Sequence, residues 1–214
     1  MEPRPDPTDP ETRLDALPVF PLPGVVLMPG AVLPLHVFEP RYRALVKAVV
    51  AGDGLMGIAT LQAGYESDYD GAPAVHAEIG VGRVVQNEQL PDGRSNIVLV
   101  HVASVRVDHE LQVDTPFRVF ATRPIDEHEP TDVALAGVRA MVLQLGAATP
   151  NAGNEASRLA AVPGMDLVHS LARRMFQSED DQRAYLGSDS ATRVRRVTDG
   201  LATLLASTGS VGDA

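Results

Sequence analysis

The chemistry open to this chain is limited first by its nucleophiles and cations. It contains no cysteine and a single lysine, Lys47. A phosphate-binding P-loop needs a lysine directly before Ser or Thr in a glycine-rich loop, and Lys47 is followed by Ala48. A Ser-Lys dyad needs a lysine beside a nucleophilic serine, and no nucleophile motif surrounds Lys47. The residue types therefore exclude cysteine chemistry and argue against a P-loop ATPase or a Ser-Lys peptidase.

Metal binding and other catalytic motifs find no support either. No two histidines form an H-E-x-x-H motif, and the acidic run at 66–70 lacks the spacing and final glutamate of an EF-hand loop. The acidic run at 179–181 suits a helix N-terminus. Gly80-Val81-Gly82 lacks the third glycine of a dinucleotide loop and is typical of a β-bulge or tight corner. The histidines that could bind a metal are His36, His76, His101, His109, His128 and His169. We expect a non-enzymatic protein with no cofactor and no metal.

Charge and hydropathy restrict the partners. The formal net charge is −10, whereas nucleic-acid binders usually carry a basic field, so nucleic acid is not the expected partner. No stretch approaches the ~20 apolar residues of a membrane helix, and the polar, proline-rich start does not resemble a signal peptide. We expect a cytoplasmic protein without a membrane partner.

Strand signals dominate residues 14–126. The hairpin signal is Pro91-Asp92-Gly93 between two long apolar runs. Prolines in the first two runs predict edge strands, bulges or strand ends. One helix interrupts this region, starting at Pro40 and ending at Gly52. The predicted strands are LPVFPL (17–22), VLPLHVF (32–38), GLMGIATL (54–61), VHAEIGVGRVVQ (75–86), NIVLVHVASVRV (96–107) and FRVFATRPI (117–125).

Helical spacing of apolar residues takes over in residues 127–206, where four helices are expected to pack as a small bundle. One of them is predicted to start at Ser178, with Asp181 three residues later, and to stop at Gly187. Polar composition predicts disordered tails at 1–13 and 207–214. Strands first and helices second predict an α+β fold.

The first part of the chain resembles the signature of the Lon protease N-terminal domain. The match lies in LPVFPL at 17–22, VVLMPG at 25–30 and LPLHVFEPRY at 33–42. A weaker likeness runs through Glu78-Ile79-Gly80 and again through the last helices, including Arg193. The resemblance covers about residues 14–206 and implies a PUA-like β-barrel with one inserted helix, followed by a C-terminal helical bundle.

The resemblance also implies a function. In that family the domain recruits unfolded or tagged substrates for a protease, and the chain looks like a standalone form without ATPase or peptidase domains. One departure is at 100–106, where a family glycine is missing and the arginine is displaced. The implied role is binding of unfolded or exposed apolar polypeptide, through a face or a strand edge, either alone or as an adaptor to a separate protease or a dedicated partner. The candidate contacts are Phe20, Met28, Pro29, Phe38 and Tyr42, although each of them suits the core better than a contact surface.

An alternative function comes from other PUA-like barrels, which bind RNA. Local basic patches could be supplied by Arg41 and Arg43, or by Arg193, Arg195 and Arg196, although the latter three also suit a solvated helix face. Binding that weakens steeply with salt would favour this alternative.

Overall fold

The computed structural model describes residues 14–69 and 71–209. The chain divides into two compact units, with the boundary between Ile125 and Asp126. The predicted tail at 1–13 and most of the one at 207–214 lie outside the described residues, although the last helix runs to Gly209. The strands of the first unit are β1 Leu17–Leu22, β2 Val32–Val37, β3 Leu55–Leu61, β4 Val75–Gln89, β5 Ser95–Leu111 and β6 Arg118–Pro124.

The six strands form one mixed sheet in the order β2-β5-β4-β3-β1-β6. β1 and β3 are parallel, and the other pairs are antiparallel. β6 pairs with both β1 and β5, so five strands form a closed ring of neighbours. With its helices the chain is α+β, as predicted, while the narrower assignment to a PUA-like barrel stays a prediction.

The first two strands both contain proline, yet they differ in position within the sheet. β2 pairs with β5 alone among the described strands and is an edge, as its proline predicts. β1 is paired on both sides, to β6 through Leu17–Val19 and to β3 through Val19–Leu22. Pro21 lies beyond the part that β6 covers, so its missing N–H removes no bond to that strand. β1 is therefore not an edge strand, and its two prolines fit the strand-end alternative of the prediction, since each lies one residue from an end of β1.

Close packing explains one of the two glycines in Gly80-Val81-Gly82. A Cβ at Gly80 would overlap the carbonyl oxygen and Cβ of Leu27. The register of β4 against β5 shifts between Val81 and Gly82, which is the predicted bulge. The missing side chain thus lets the β1–β2 loop, through the buried Leu27, lie directly on the sheet.

The helix α1, Pro40–Ala51, begins and ends where the sequence predicts. Pro40 occupies its first turn, and the Gly52 N–H donates to the carbonyls of Ala48 and Val49. Its buried face, which packs with Phe20, Met56 and Leu99 in one core cluster, consists of Tyr42, Leu45, Val46 and Val49.

The second unit contains five described helices rather than the four expected. The additional helix has only two buried side chains, Ala156 and Ala160, so it shows no bulky apolar stripe. Ser178 caps the fourth helix of this unit by accepting from the Asp181 N–H, as predicted. The helices are α2 Asp132–Ala148, α3 Gly153–Ala160, α4 Gly164–Met175, α5 Glu179–Leu186 and α6 Ser190–Gly209.

Candidate functional site

The outer face of β2 exposes an alternating row of side chains. Val32, Pro34 and His36 are exposed, and Val32 keeps 62% of its surface. Because side chains alternate across a strand, these three share one face. Directly opposite on β5 stand Val100 and Val98, so the first two cross-strand pairs are apolar. We call this surface, with Phe38, the β2 face.

Phe38 follows directly after β2 and is 60% exposed, which is unusual for a phenylalanine. Its ring lies 6.2 Å from that of His36, which places it beside the exposed row. A ring left largely in water at the end of an edge strand is available to a partner. It is the largest apolar side chain on the β2 face.

The other four candidate contacts are buried. Phe20 and Tyr42 stack with their ring centroids 4.1 Å apart, and burial raises the pKa of the Tyr42 phenol to about 12. Met28 and Pro29 are also buried, in the β1–β2 loop. These side chains contribute to the core as the structure stands, and Phe38 alone of the five offers its side chain to a partner.

A polar network interrupts the β2 face between Pro34 and Phe38. His36 Nδ1 lies 2.7 Å from Asn96 Oδ1, and Asn96 Nδ2 donates to Glu88 over 3.0 Å. The Arg94 guanidinium lies 3.4 Å from His36 Nε2. The face therefore combines apolar pairs, one polar cluster and one aromatic ring, a mixture suited to contacts with polypeptide.

The first predicted basic patch is only partly available. Arg41 donates to Glu39 over 3.0 Å and to the Tyr69 carbonyl over 3.1 Å, and the Tyr69 hydroxyl donates to Glu39 over 2.9 Å. This network engages Arg41 and leaves Arg43 on another side of α1. The two arginines do not act as one patch.

The second predicted basic patch is contradicted at Arg193, which is neither solvated nor part of an exposed surface. Its side chain is 0% exposed. It pairs with Glu127 and donates to the carbonyls of Tyr185 and Leu186 over 3.1 and 2.7 Å. These carbonyls end α5, where backbone acceptors lack helical partners. Arg193 thus ties α5 and α6 to the segment before α2.

The remaining arginines of that trio have their own contacts. Arg196 donates to Asp181 over 3.4 Å, and Arg195 donates to the Thr192 hydroxyl over 3.3 Å. Within residues 14–69 and 71–209 no group of three or more metal-ligating side chains converges. None of the helices described there is long and apolar enough to span a bilayer.

Sequence reasoning missed the rest of the β2 face. Val32 and Pro34 lie in a predicted strand whose two faces both carry apolar residues, so the pattern does not show which face is exposed. The usable signal is the proline, which marks an edge strand and hence a side of the sheet that no neighbour covers.

The family model described as the ATP-dependent protease La (LON) substrate-binding domain matches residues 16–208. Among sequence relatives, Lon protease of Flavobacterium johnsoniae is 24% identical over 148 residues, which cover 66% of this chain and 18% of that protein. Lon protease 2 of Myxococcus xanthus is 31% identical over 125 residues, covering 57% and 15% respectively. The chain thus spans under a fifth of the length of these relatives.

Solved structures show the same fold. The Lon N-terminal domain protein from Xanthomonas campestris superposes with a TM-score of 0.61 at 22% identity, covering 86% of this chain and 97% of that one. The N-terminal domain of Mycobacterium avium complex Lon protease gives 0.61 at 16% identity, covering 87% and 98%.

Proposed function

This chain belongs to the ATP-dependent protease La (LON) substrate-binding domain family, and from that premise we propose that it is a non-catalytic module that binds unfolded polypeptide. The segments it recognises are apolar and exposed. We also propose that the closed ring of five strands is a small barrel of the PUA-like kind. The protein supplies a bound chain either to a separate protease or to a dedicated partner, and it acts in the cytoplasm.

The observation that carries the proposal is the exposure of Phe38 on the β2 face. Burying a phenylalanine side chain on binding contributes about 1.5–3 kcal/mol, which is a large share of the affinity of a weak polypeptide complex. The apolar pairs Val32–Val100 and Pro34–Val98 extend the same surface along β2. A chain laid across this face would meet apolar contacts at successive positions.

The RNA-binding alternative has less support. The chain is acidic, Arg193 is buried and Arg41 is engaged, so the arginines named for that alternative do not form a joint surface. We therefore keep polypeptide as the ligand.

The test compares Phe38→Ser with wild type in fluorescence anisotropy, using a labelled, permanently unfolded polypeptide. We expect wild type to bind it with little dependence on salt and Phe38→Ser to bind it about tenfold more weakly. The same polypeptide in folded form and a labelled RNA serve as comparison ligands. Pro34→Ser extends the test along the strand.

Val133→Ser is the matched control, because Val133 is an apolar side chain that is 83% exposed but lies in the second unit. It should bind like wild type. Equal binding by the Phe38 and Val133 variants would overturn the assignment to the β2 face. Salt-sensitive binding of RNA alone would overturn the proposed function itself.

A further inference from the structure

A cleft of about 630 Å³ lies between α1 and the β4–β5 hairpin. α1 contributes the cations Arg43 and Lys47, together with the aliphatic Val50. The hairpin contributes polar groups that carry no formal charge, among them Asn87 and Gln89. The walls are therefore cationic and aliphatic on one side and neutral polar on the other.

The two cations of this cleft have no partner in the part of the chain that the structure describes. Arg43 and Lys47 are four residues apart and so share one side of α1. Neither side chain makes a hydrogen bond or an ion pair there, whereas the side chains of other described arginines bind carboxylates, carbonyls or hydroxyls. Among the other described arginines, Arg158 in the second unit is the one whose side chain also lacks a hydrogen bond and an ion pair. Among the described residues, two of the three arginine and lysine side chains without a partner thus line one cleft.

No acidic side chain lines the cleft among the described residues, although the chain contains 28 Asp and Glu. Arg43 contributes to lowering the pKa of the Asp92 carboxyl, although the backbone N–H of Arg94 is the largest cause and Arg43 the smallest. Asp92 is held by Arg94 over 2.7 Å, so its charge is already compensated. The cleft is a local cationic site on an acidic protein.

The cleft also adjoins the end of the β2 face. Ser95 lines the cleft and is the register partner of Val37, the last residue of β2. Pro40 lines the cleft two residues after Phe38. The cleft that holds the two cations therefore begins within two residues of the exposed ring along the chain.

We propose that this cleft binds the carboxylates of an acidic polypeptide segment, so that the preferred ligand carries Asp or Glu beside an apolar stretch. This inference rests on the proposed function and narrows it to a substrate class. Carboxylates pair well with guanidinium and ammonium groups. No aromatic side chain is among the described residues that line the cleft, so it lacks the stacking surface that single-stranded nucleic acid uses.

The experiment uses two labelled unfolded peptides that share one apolar segment and differ only in their flanks, which are Asp and Glu in one and Asn and Gln in the other. Anisotropy is measured at several salt concentrations with wild type, with the double variant Arg43→Gln/Lys47→Gln, and with Arg158→Gln as the matched control. We expect wild type to bind the acidic peptide about tenfold more tightly. The double variant should lose this preference, and Arg158→Gln should keep it.

A competition experiment distinguishes peptide carboxylates from phosphate groups as the anions that the cleft binds. Inorganic phosphate should displace the acidic peptide no better than chloride at equal ionic strength. Specific displacement by phosphate or RNA would overturn the assignment to polypeptide. Equal binding of both peptides by wild type would overturn the inference while leaving the proposed function standing, and binding of neither peptide would overturn both.

Discussion

Arg193 on α6 and Arg43 on α1 both lie within helices, yet their side chains have opposite environments. Arg193 has no exposed surface and is bound by one carboxylate and two backbone carbonyls. Arg43 lies beside a cleft without a hydrogen-bonded partner in the described part of the chain. A buried cation whose hydrogen bonds are all made within the protein therefore stabilises the fold. A surface cation without such partners is available to bind a ligand.

The largest effect is expected at Arg193. Arg193→Met should lower the free energy of unfolding of the second unit by about 3–5 kcal/mol, because Glu127 and the carbonyls that end α5 lose their donors. Urea unfolding followed by far-ultraviolet circular dichroism measures this loss. Arg195→Met, on the exposed side of the same helix, should change the free energy by no more than about 0.5 kcal/mol. Equal losses in the two variants would show that burial of Arg193 does not decide its contribution.

An intermediate effect comes from protonation beside the same network. His169 Nδ1 lies 2.7 Å from the Tyr185 hydroxyl, and burial lowers the pKa of His169 from 6.5 to about 4. The unfolded chain thus binds the proton more readily between these two values. The contribution of His169 to the free energy of unfolding should be at its maximum above pH 6.5. It should fall by up to about 3 kcal/mol as the pH decreases toward 4.

The measurement is urea unfolding at a series of pH values, with His169→Gln as the control. Glutamine keeps a hydrogen-bonding side chain near Tyr185 but does not titrate. Carboxylates contribute to the pH dependence of both proteins, so the difference in slope between them isolates His169. If the free energy of unfolding had the same slope against pH in wild type and in His169→Gln, His169 would not be the source of the pH dependence.

The smallest effect on stability is expected in the cleft. Arg43→Gln/Lys47→Gln should change the free energy of unfolding by no more than about 0.5 kcal/mol, because no internal partner is lost. The same urea experiment at neutral pH tests this. A loss above about 1 kcal/mol, well outside the range for unpaired surface residues, would mean that these cations support the fold.

Local chemistry made much of the fold predictable. The helix α1 begins at Pro40 and is ended by Gly52, and Ser178 caps α5. The turn Pro91-Asp92-Gly93 joins β4 to β5. Each of these residues acts on its immediate neighbours in the chain, so the sequence alone predicts its effect. The helix α3 escaped prediction since alanines cover its buried side and leave no bulky stripe. The two-sided pairing of β1 escaped as well, because only the closed ring of strands places β6 beside a strand that contains proline.

The candidate site was less predictable. Phe38 was named from the sequence together with four side chains that are buried, and nothing local distinguishes Phe38 from Phe20. The burial of Arg193 depends on Glu127, 66 positions earlier. Arg43 and Lys47 could be placed on one side of α1 by spacing alone, but the cleft also needs the hairpin. Properties that depend on segments far apart in the chain cannot be predicted from the residues of any one segment.

Pro34 has a consequence for self-association. An open strand edge is a template on which a second copy of the same chain can add its own β2 and begin an ordered aggregate. A proline there offers no N–H to an incoming strand, so the ladder between copies is interrupted in the middle of β2. Pro34, which marks the uncovered strand, thus also disfavours pairing between the β2 edges of two copies of the chain.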